Sequence, residues 1–226
     1  MSKVLVLASG GLDSSALLHK AVKEFGKENV FALNMYYGQK HAKERECFEW
    51  QLKRLGIENF RVLDLSTIFE GYKGCTLLQG GGEIPHESYA EQLKKKPGTV
   101  STYVPFRNGL FLSVAASIAI QEKCDLIWYG AHADDAAGNA YPDCTEWFIR
   151  AMRTAIYDGS GHTVNMEGPW VKLNKAGVVK AGIEAGMTQE DFDHTWSCYE
   201  GGDEPCGTCG TCIDRKAALA ANGLRG

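Results

Sequence analysis

Residues 6–15 (VLASGGLDSS) have the composition of a phosphate-binding loop. An apolar run ends at Gly10 and Gly11, and a helical pattern begins directly after them. Glycine lets the backbone approach an anion and present N–H groups to it, and a helix N-terminus adds donors and the positive end of its dipole. Three serine hydroxyls could donate to phosphate oxygens, and Asp13 could hold Mg²⁺ or cap the turn. We therefore predict that phosphate groups bind the segment made of Leu7, Ala8, Ser9, Gly10, Gly11, Leu12, Asp13, Ser14, Ser15, Ala16 and Leu17.

The glycine pattern differs from two common nucleotide-binding motifs. No Gly-Lys-Ser/Thr follows the glycines, as a Walker A loop requires, and the third glycine of the dinucleotide fingerprint is missing. An ordinary strand-to-helix turn is the alternative, since Gly-Gly and Asp are common in turns. The string Ser-Gly-Gly-x-Asp-Ser at residues 9–14 closely resembles the PP-loop of N-type ATP pyrophosphatases. That resemblance implies that the loop holds the leaving pyrophosphate of ATP while a substrate oxygen attacks the α-phosphorus and receives AMP.

Four cysteines, the residues Cys198, Cys206, Cys209 and Cys212, lie close together near the C-terminus. Two successive Cys-x-x-Cys steps and one upstream cysteine can close a four-thiolate zinc site, and a site with no open position is structural. An iron–sulfur cluster and four free cysteines are the alternatives. The density of cysteines and the glycines between them favour zinc.

Strand and helix patterns alternate over the first 65 residues, with strands predicted at 4–8, 30–35 and 60–65 and helices at 14–25 and 40–55. A continuous apolar run such as the first is typical of a buried parallel strand. The alternation predicts an α/β fold with a doubly wound, mostly parallel sheet. After residue 106 the pattern resumes with a strand at 125–129 and helices at 107–122, 145–157 and 175–185.

The helix predicted at 145–157 carries an apolar stripe, which predicts core packing for Trp147, Phe148, Ala151, Met152, Ala155 and Ile156. Residues 66–106 lose the alternation and are expected to form a lid-like insertion, because long irregular stretches in compact domains are often lids or binding loops. We predict an ATP-binding α/β domain over residues 1–190, and a four-cysteine zinc segment with a C-terminal helix over 191–226.

The chain has 226 residues and a formal net charge of −4. Its one short basic run, Lys94 to Lys96, is more simply a solvated loop than a phosphate-neutralising surface, so we expect a small-molecule substrate and no nucleic acid. No apolar window approaches the ~20 residues of a membrane span, and Met1-Ser2-Lys3 leaves no room for a signal peptide. The eight cysteines then indicate a reducing, cytoplasmic location, without membrane contact.

The loop at 9–14 occurs together with Ser-Cys-Tyr-x(6)-Cys-x-x-Cys-x-x-Cys at 197–212. This pair resembles the QueC family of 7-cyano-7-deazaguanine synthases. The resemblance extends over nearly the whole chain, through residues 37–41 (YGQKH), 104–108 (VPFRN), 141–144 (YPDC) and 173–176 (LNKA).

The resemblance implies that 7-carboxy-7-deazaguanine and ammonia react to give the nitrile through an adenylated acid and an adenylated amide. It further implies ATP, Mg²⁺ and Zn²⁺ as cofactors and a homodimer. The catalytic residues it implies are Ser9, Asp13, Ser14, Arg107 and Lys175, and the substrate-binding residues are Tyr37, His41, Arg107, Asn108 and Asp143.

Alternatives to these roles stay open in the sequence. Arg107 and Lys175 could be solvated surface residues, and Asp143 could instead cap the helix that starts near Thr145. The chain also departs from the family at Phe106, where glycine is usual, and over residues 131–139, where His132 has no evident role.

Because both departures are expected near the substrate pocket, they bear on the acceptor. One alternative is a family variant that transfers an adenylated deazapurine carboxylate to another amine. Others are a PP-loop enzyme that modifies tRNA and a non-catalytic zinc-ribbon module on an α/β scaffold.

Overall fold

A computed structural model describes residues 2–40 and 43–226, and the sheet in this part of the chain has five strands. They are β1 (Val4–Leu7), β2 (Val30–Tyr36), β3 (Phe60–Asp64), β4 (Leu126–Trp128) and β5 (Asn165–Glu167). Every pairing is parallel, in the order β3-β2-β1-β4-β5. The predicted doubly wound parallel sheet is therefore confirmed.

The helices of the described residues are α1 (Leu12–Phe25), α2 (Lys43–Leu55), α3 (Tyr89–Lys95), α4 (Arg107–Gln121), α5 (Ala133–Ala136), α6 (Glu146–Gly159), α7 (Lys175–Glu184), α8 (Gln189–Asp193) and α9 (Gly210–Ala221). None of them combines the length and apolar character needed to cross a bilayer.

Helices cover both faces of the sheet because successive side chains of a strand point to opposite sides. Val4 and Val6 of β1 pack into a core with α1, α2, α7 and α9. Leu5 and Leu7 pack into a second core with α4 and α6.

The helix α6 buries a different stripe from the one predicted. Ile149 and Ile156 face the core, whereas Trp147 is 77% exposed. Phe148, Met152 and Ile156 do pack as predicted, but core packing is wrong for Trp147, Ala151 and Ala155, which are exposed. The contacting face is set by Ile149, Met152 and Ile156, at spacings of three and four, and Trp147 lies outside it.

Residues 66–106 contain a 3-10 helix at Ser66–Ile68 and α3, which begins with a capping box between Ser88 and Glu91. The rest of the segment is mostly turns and irregular backbone. Buried residues of this insertion pack directly on the cysteine segment in a third small core that contains Leu77, Leu78, Ile84, Val104, Trp196, Cys198, Cys209 and Cys212. The insertion therefore has its own apolar anchor and is joined to the C-terminal part of the chain.

Candidate active site

The predicted phosphate loop lies at the carboxyl end of β1, where the backbone turns sharply into α1. Gly10 has a φ of +100°, and a Cβ added there would come within 1.9 Å of the Glu44 carbonyl oxygen in α2. The N–H groups of Ser9 and Gly10 donate to Ser14 Oγ at 3.1 and 3.3 Å. Gly11, the N-cap of α1, makes no side-chain capping bond, so the first N–H groups of the helix are available to an anion.

The loop opens into a cavity at the topological switch point of the sheet. After β1 the chain passes to α1 on one face, and after β4 it passes to α6 on the other. In open parallel sheets, ligands bind in the crevice formed where neighbouring strands diverge in this way. Of the predicted site residues, those that line the cavity are Leu7, Ala8, Ser9, Gly11, Leu12, Asp13, Ser14, Tyr37, Arg107, Asn108 and Lys175.

Some predicted residues lie elsewhere. Ser15, Ala16 and Leu17 are buried on the inner side of α1 and do not line the cavity. Gly10 is covered by α2, so its part in the loop is to allow the close approach of the two backbones. His41 lies outside the described residues.

Asp13 and Lys175 meet at the phosphate loop. Lys175 Nζ donates to Asp13 Oδ2 at 2.5 Å, although 162 residues separate them in sequence. Burial alone would raise the pKa of Asp13, but the charges of Lys175 and His132 hold that pKa below its ordinary value. A carboxylate and an ammonium group therefore stand beside the N-terminus of α1.

His132, for which sequence reasoning found no role, joins this pair. It is buried, and its Nε2 lies 3.7 Å from Asp13 Oδ2, 3.4 Å from Asp135 Oδ2 and 3.4 Å from Lys175 Nζ. Its position on the loop that follows β4, at the carboxyl edge of the sheet, is the signal that could have marked it. The segment 131–139 thus contributes directly to the site.

Arg107 is the first residue of α4, and its guanidinium group lies inside the cavity wall. It sits 4.9 Å from the ring centre of Tyr37 and 5.8 Å from that of Phe111. Its Nη1 donates to the Tyr37 hydroxyl at 2.9 Å, and its Nε and Nη2 both donate to Asn108 Oδ1 at 3.2 Å. Arg107 is thus held in one orientation and is not a solvated surface residue.

Asp143 lies behind the cavity wall and is not among its lining residues. Its Oδ2 accepts the N–H of Asn108 at 3.0 Å, which satisfies a donor at the start of α4. The alternative that Asp143 caps α6 is wrong, because Thr145 accepts the Phe148 N–H there. Burial raises the pKa of Asp143.

Aromatic side chains form much of the remaining wall. Tyr129, Tyr141 and Tyr199 line the cavity and were not predicted. Phe106, whose departure from glycine was expected to bear on the acceptor, is 58% exposed and is not among the lining residues. Its backbone is left-handed, with a φ of 52°, which explains why glycine suits this position.

The four cysteines of the C-terminal segment come together as predicted. One sulfur from each, in Cys198, Cys206, Cys209 and Cys212, lies within 4.8 Å of the others. Backbone N–H groups donate to Cys198 Sγ and Cys206 Sγ at 3.3 Å, and such bonds stabilise thiolates. In a tetrahedron with Zn–S bonds of about 2.3 Å the sulfurs stand roughly 3.8 Å apart, so the cluster fits a metal ion after small adjustments.

Comparison with known proteins gives one consistent result. The family model described as "Queuosine biosynthesis protein QueC" matches residues 3–223. The 7-cyano-7-deazaguanine synthase of Archaeoglobus fulgidus is 39% identical over 226 residues, covering 99% of this chain and 88% of the relative. That of Psychromonas ingrahamii is 35% identical over 223 residues, covering 99% and 95%.

Among solved structures, the U34-tRNA thiolase NcsA from Methanococcus maripaludis with its [4Fe-4S] cluster has a TM-score of 0.50 and 15% identity, over 98% of this chain and 67% of that one. This likeness is one of fold alone.

Proposed function

The chain belongs to the QueC family, and from that premise we propose that it converts 7-carboxy-7-deazaguanine and ammonia into 7-cyano-7-deazaguanine, with two ATP cleaved to AMP and pyrophosphate. It is a C–N bond-forming ligase of queuosine biosynthesis. The observation that carries the proposed mechanism is the meeting of Asp13 and Lys175 beside an uncapped helix N-terminus, in the same cavity as Arg107.

The chemistry requires activation twice. A carboxylate is a poor electrophile because oxide would have to leave. Attack of a carboxylate oxygen on the α-phosphorus of ATP expels pyrophosphate and gives an acyl adenylate, from which ammonia displaces AMP to form the amide. The amide oxygen then attacks a second ATP, and loss of AMP and two protons from nitrogen leaves the nitrile. Both carboxylate oxygens therefore leave on AMP.

The phosphate loop would serve both adenylations in the same way. The uncapped N–H groups in the first turn of α1, with the hydroxyls of Ser9 and Ser14, would bind the leaving pyrophosphate at the positive end of that helix. Lys175 would neutralise charge that develops on the phosphates, while its bond to Asp13 fixes its position. Tyr37, Asn108 and the aromatic side chains of the cavity wall would hold the deazapurine. Asp143 and His41 are further candidates for this role.

Two metals fit the residues present. Asp13 Oδ1 is buried without a hydrogen-bond partner in the described part of the chain, and Asp135 lines the same cavity, so these carboxylates could hold the Mg²⁺ that neutralises phosphate charge. The four-cysteine cluster offers a closed thiolate set, which suits structural Zn²⁺ that would fix the segment 191–226 against the insertion.

Further parts of the proposal concern the surroundings of the site. The insertion over 66–106 would act as a lid on the domain over 1–190, since its Leu77 lines the cavity. Exposed Trp147 and Phe106 give a second copy an apolar surface to cover, which supports a homodimer. The cluster requires thiols that stay reduced, which supports a cytoplasmic location. No nucleic acid would take part.

Exchange of labelled pyrophosphate into ATP tests the proposed mechanism. With 7-carboxy-7-deazaguanine and Mg²⁺ but no ammonia, the acyl adenylate forms reversibly, so exchange should depend on the acid and be unaffected by added tRNA. Lys175→Ala should lower exchange about 100-fold or more. Lys172→Ala, an exposed lysine three residues away, is the matched control and should keep it. Exchange without the acid, or only with tRNA, would refute the proposal.

A further inference from the structure

The two cationic side chains of the cavity reach it from opposite faces of the sheet. Lys175 begins α7, whose Val178 and Val179 pack in the same core as α1. Arg107 begins α4, whose Leu112 packs in the core on the other face. The phosphate loop and Lys175 thus lie on one side of the crevice, and Arg107 lies on the other. This arrangement divides the cavity into a phosphate side and an Arg107 side.

Arg107 lacks a carboxylate partner in the described part of the chain. Its hydrogen-bond partners there are the Tyr37 hydroxyl and the Asn108 amide oxygen, and the Asp143 carboxylate acts on it through its charge without a hydrogen bond. A guanidinium group has five N–H donors, of which these bonds use three. Two donors remain, the number that a carboxylate accepts in a bidentate pair.

The environment of Arg107 strengthens such a pair. The guanidinium carbon lies 4.9 Å from the ring centre of Tyr37 and 5.8 Å from that of Phe111, and Leu33 and Met35 line the same cavity. Apolar surroundings raise the strength of a charge-assisted hydrogen bond, and they make a buried cation without an anion costly. The hydrogen bonds to Tyr37 and Asn108 limit rotation of the guanidinium group, so its remaining donors keep one direction.

We infer that Arg107 binds the carboxylate of the deazapurine and thereby serves the first adenylation far more than the second. This inference rests on the proposed function. The acid arrives as an anion, and one of its oxygens forms the bond to the α-phosphorus as the bond from phosphorus to the pyrophosphate oxygen breaks. The amide of the second adenylation is neutral, so Arg107 gives it only an ordinary hydrogen bond. The residue therefore selects for the acid at the step that commits it to the pathway.

The test supplies the two substrates separately to Arg107→Gln. We expect kcat/KM for 7-carboxy-7-deazaguanine to fall by at least about 30-fold, the lower bound for removing one partner of a buried charge pair at a binding site. With the synthetic 7-amido-7-deazaguanine it should fall by less than about 10-fold, as for a lost neutral hydrogen bond. Arg107→Lys keeps the charge without the bidentate geometry. It should lower kcat/KM for the acid by less than Arg107→Gln does and leave kcat/KM for the amide nearly unchanged.

Equal losses with acid and amide, accompanied by a raised KM for ATP, would overturn the inference in favour of phosphate binding by Arg107. Unchanged activity with the acid would overturn it as well. Thermal unfolding and metal content of both variants separate these outcomes from misfolding, and Arg107→Lys decides the matter if Arg107→Gln does not fold. If the wild-type protein makes nitrile from neither substrate, the proposed function itself has failed.

Discussion

Gly10→Ala should disrupt the contact between the phosphate loop and α2. A non-glycine residue at a φ of +100° costs about 1–2 kcal/mol. The new Cβ would also lie 1.9 Å from the Glu44 carbonyl oxygen and 2.7 Å from the Phe48 nitrogen, and both are backbone atoms of a packed helix. Moving that helix is comparable to overpacking a core, at about 1–3 kcal/mol. The total of roughly 2–5 kcal/mol corresponds to a fall in Tm of about 4–20 °C for a chain of this size.

Gly80→Ala is the matched control for this prediction. Gly80 has a φ of +76°, but nothing lies within 4 Å of its would-be Cβ, so this variant carries only the conformational cost. Thermal unfolding should therefore show Gly10→Ala several degrees less stable than Gly80→Ala. Pyrophosphate exchange should fall about 100-fold in Gly10→Ala alone, because displaced donors no longer fit the phosphates. Equal stability of the two variants would show that the loop does not rest on the backbone of α2.

Three further predictions concern the metal, a buried carboxylate and the left-handed residue. Metal analysis of the purified, colourless protein should find one Zn²⁺ per chain. Cys212→Ser should release the zinc and lower Tm. A brown protein that contains iron would contradict the zinc assignment. Asp191→Asn should cost about 2 kcal/mol at pH 7 in urea unfolding, because buried Asp191 accepts hydrogen bonds from Arg54 and Thr188. Burial would raise the pKa of Asp191, but these bonds lower that pKa overall. The difference in unfolding free energy between wild type and variant should therefore persist above pH ~3.9 and shrink as the pH falls through the lowered pKa. A difference that stays constant with pH would contradict this reasoning. Phe106→Gly should change stability by less than about 1 kcal/mol and leave nitrile formation intact, since relief of the left-handed backbone offsets lost packing on Phe148; a change of acceptor would contradict the placement of Phe106 outside the cavity.

Local features of the site could be predicted from sequence because they depend on neighbouring residues. A strand, two glycines and a helix start form the phosphate loop within residues 6–15, and the cysteine spacing within 198–212 already brings the four sulfurs together. The parallel sheet followed from the alternation of apolar runs with helical stripes. The strand β5, with the sequence Asn-Met-Glu, has no such run and escaped prediction.

Long-range features of the site could not be predicted, because they depend on how the elements pack. His132 is placed beside Asp13 and Lys175 by the adjacency of β1 and β4, which periodicity does not reveal. The face that α6 buries depends on its tilt against the sheet, so Trp147 was assigned to the core although it is exposed. The cap of α4 comes from Asp143, 35 residues away in sequence.

The most direct test of the proposed reaction uses acid labelled with ¹⁸O in both carboxylate oxygens, supplied with ATP, Mg²⁺ and ammonium. We expect 7-cyano-7-deazaguanine and two AMP per nitrile, each AMP carrying one ¹⁸O, since the first adenylation removes one oxygen and the second removes the other. Labelled AMP without the nitrile would retain adenylation of the acid but contradict nitrile formation, and the search would turn to another acceptor for the adenylated acid. No AMP at all, from a folded and zinc-loaded protein, would contradict the assignment of this cavity to adenylation.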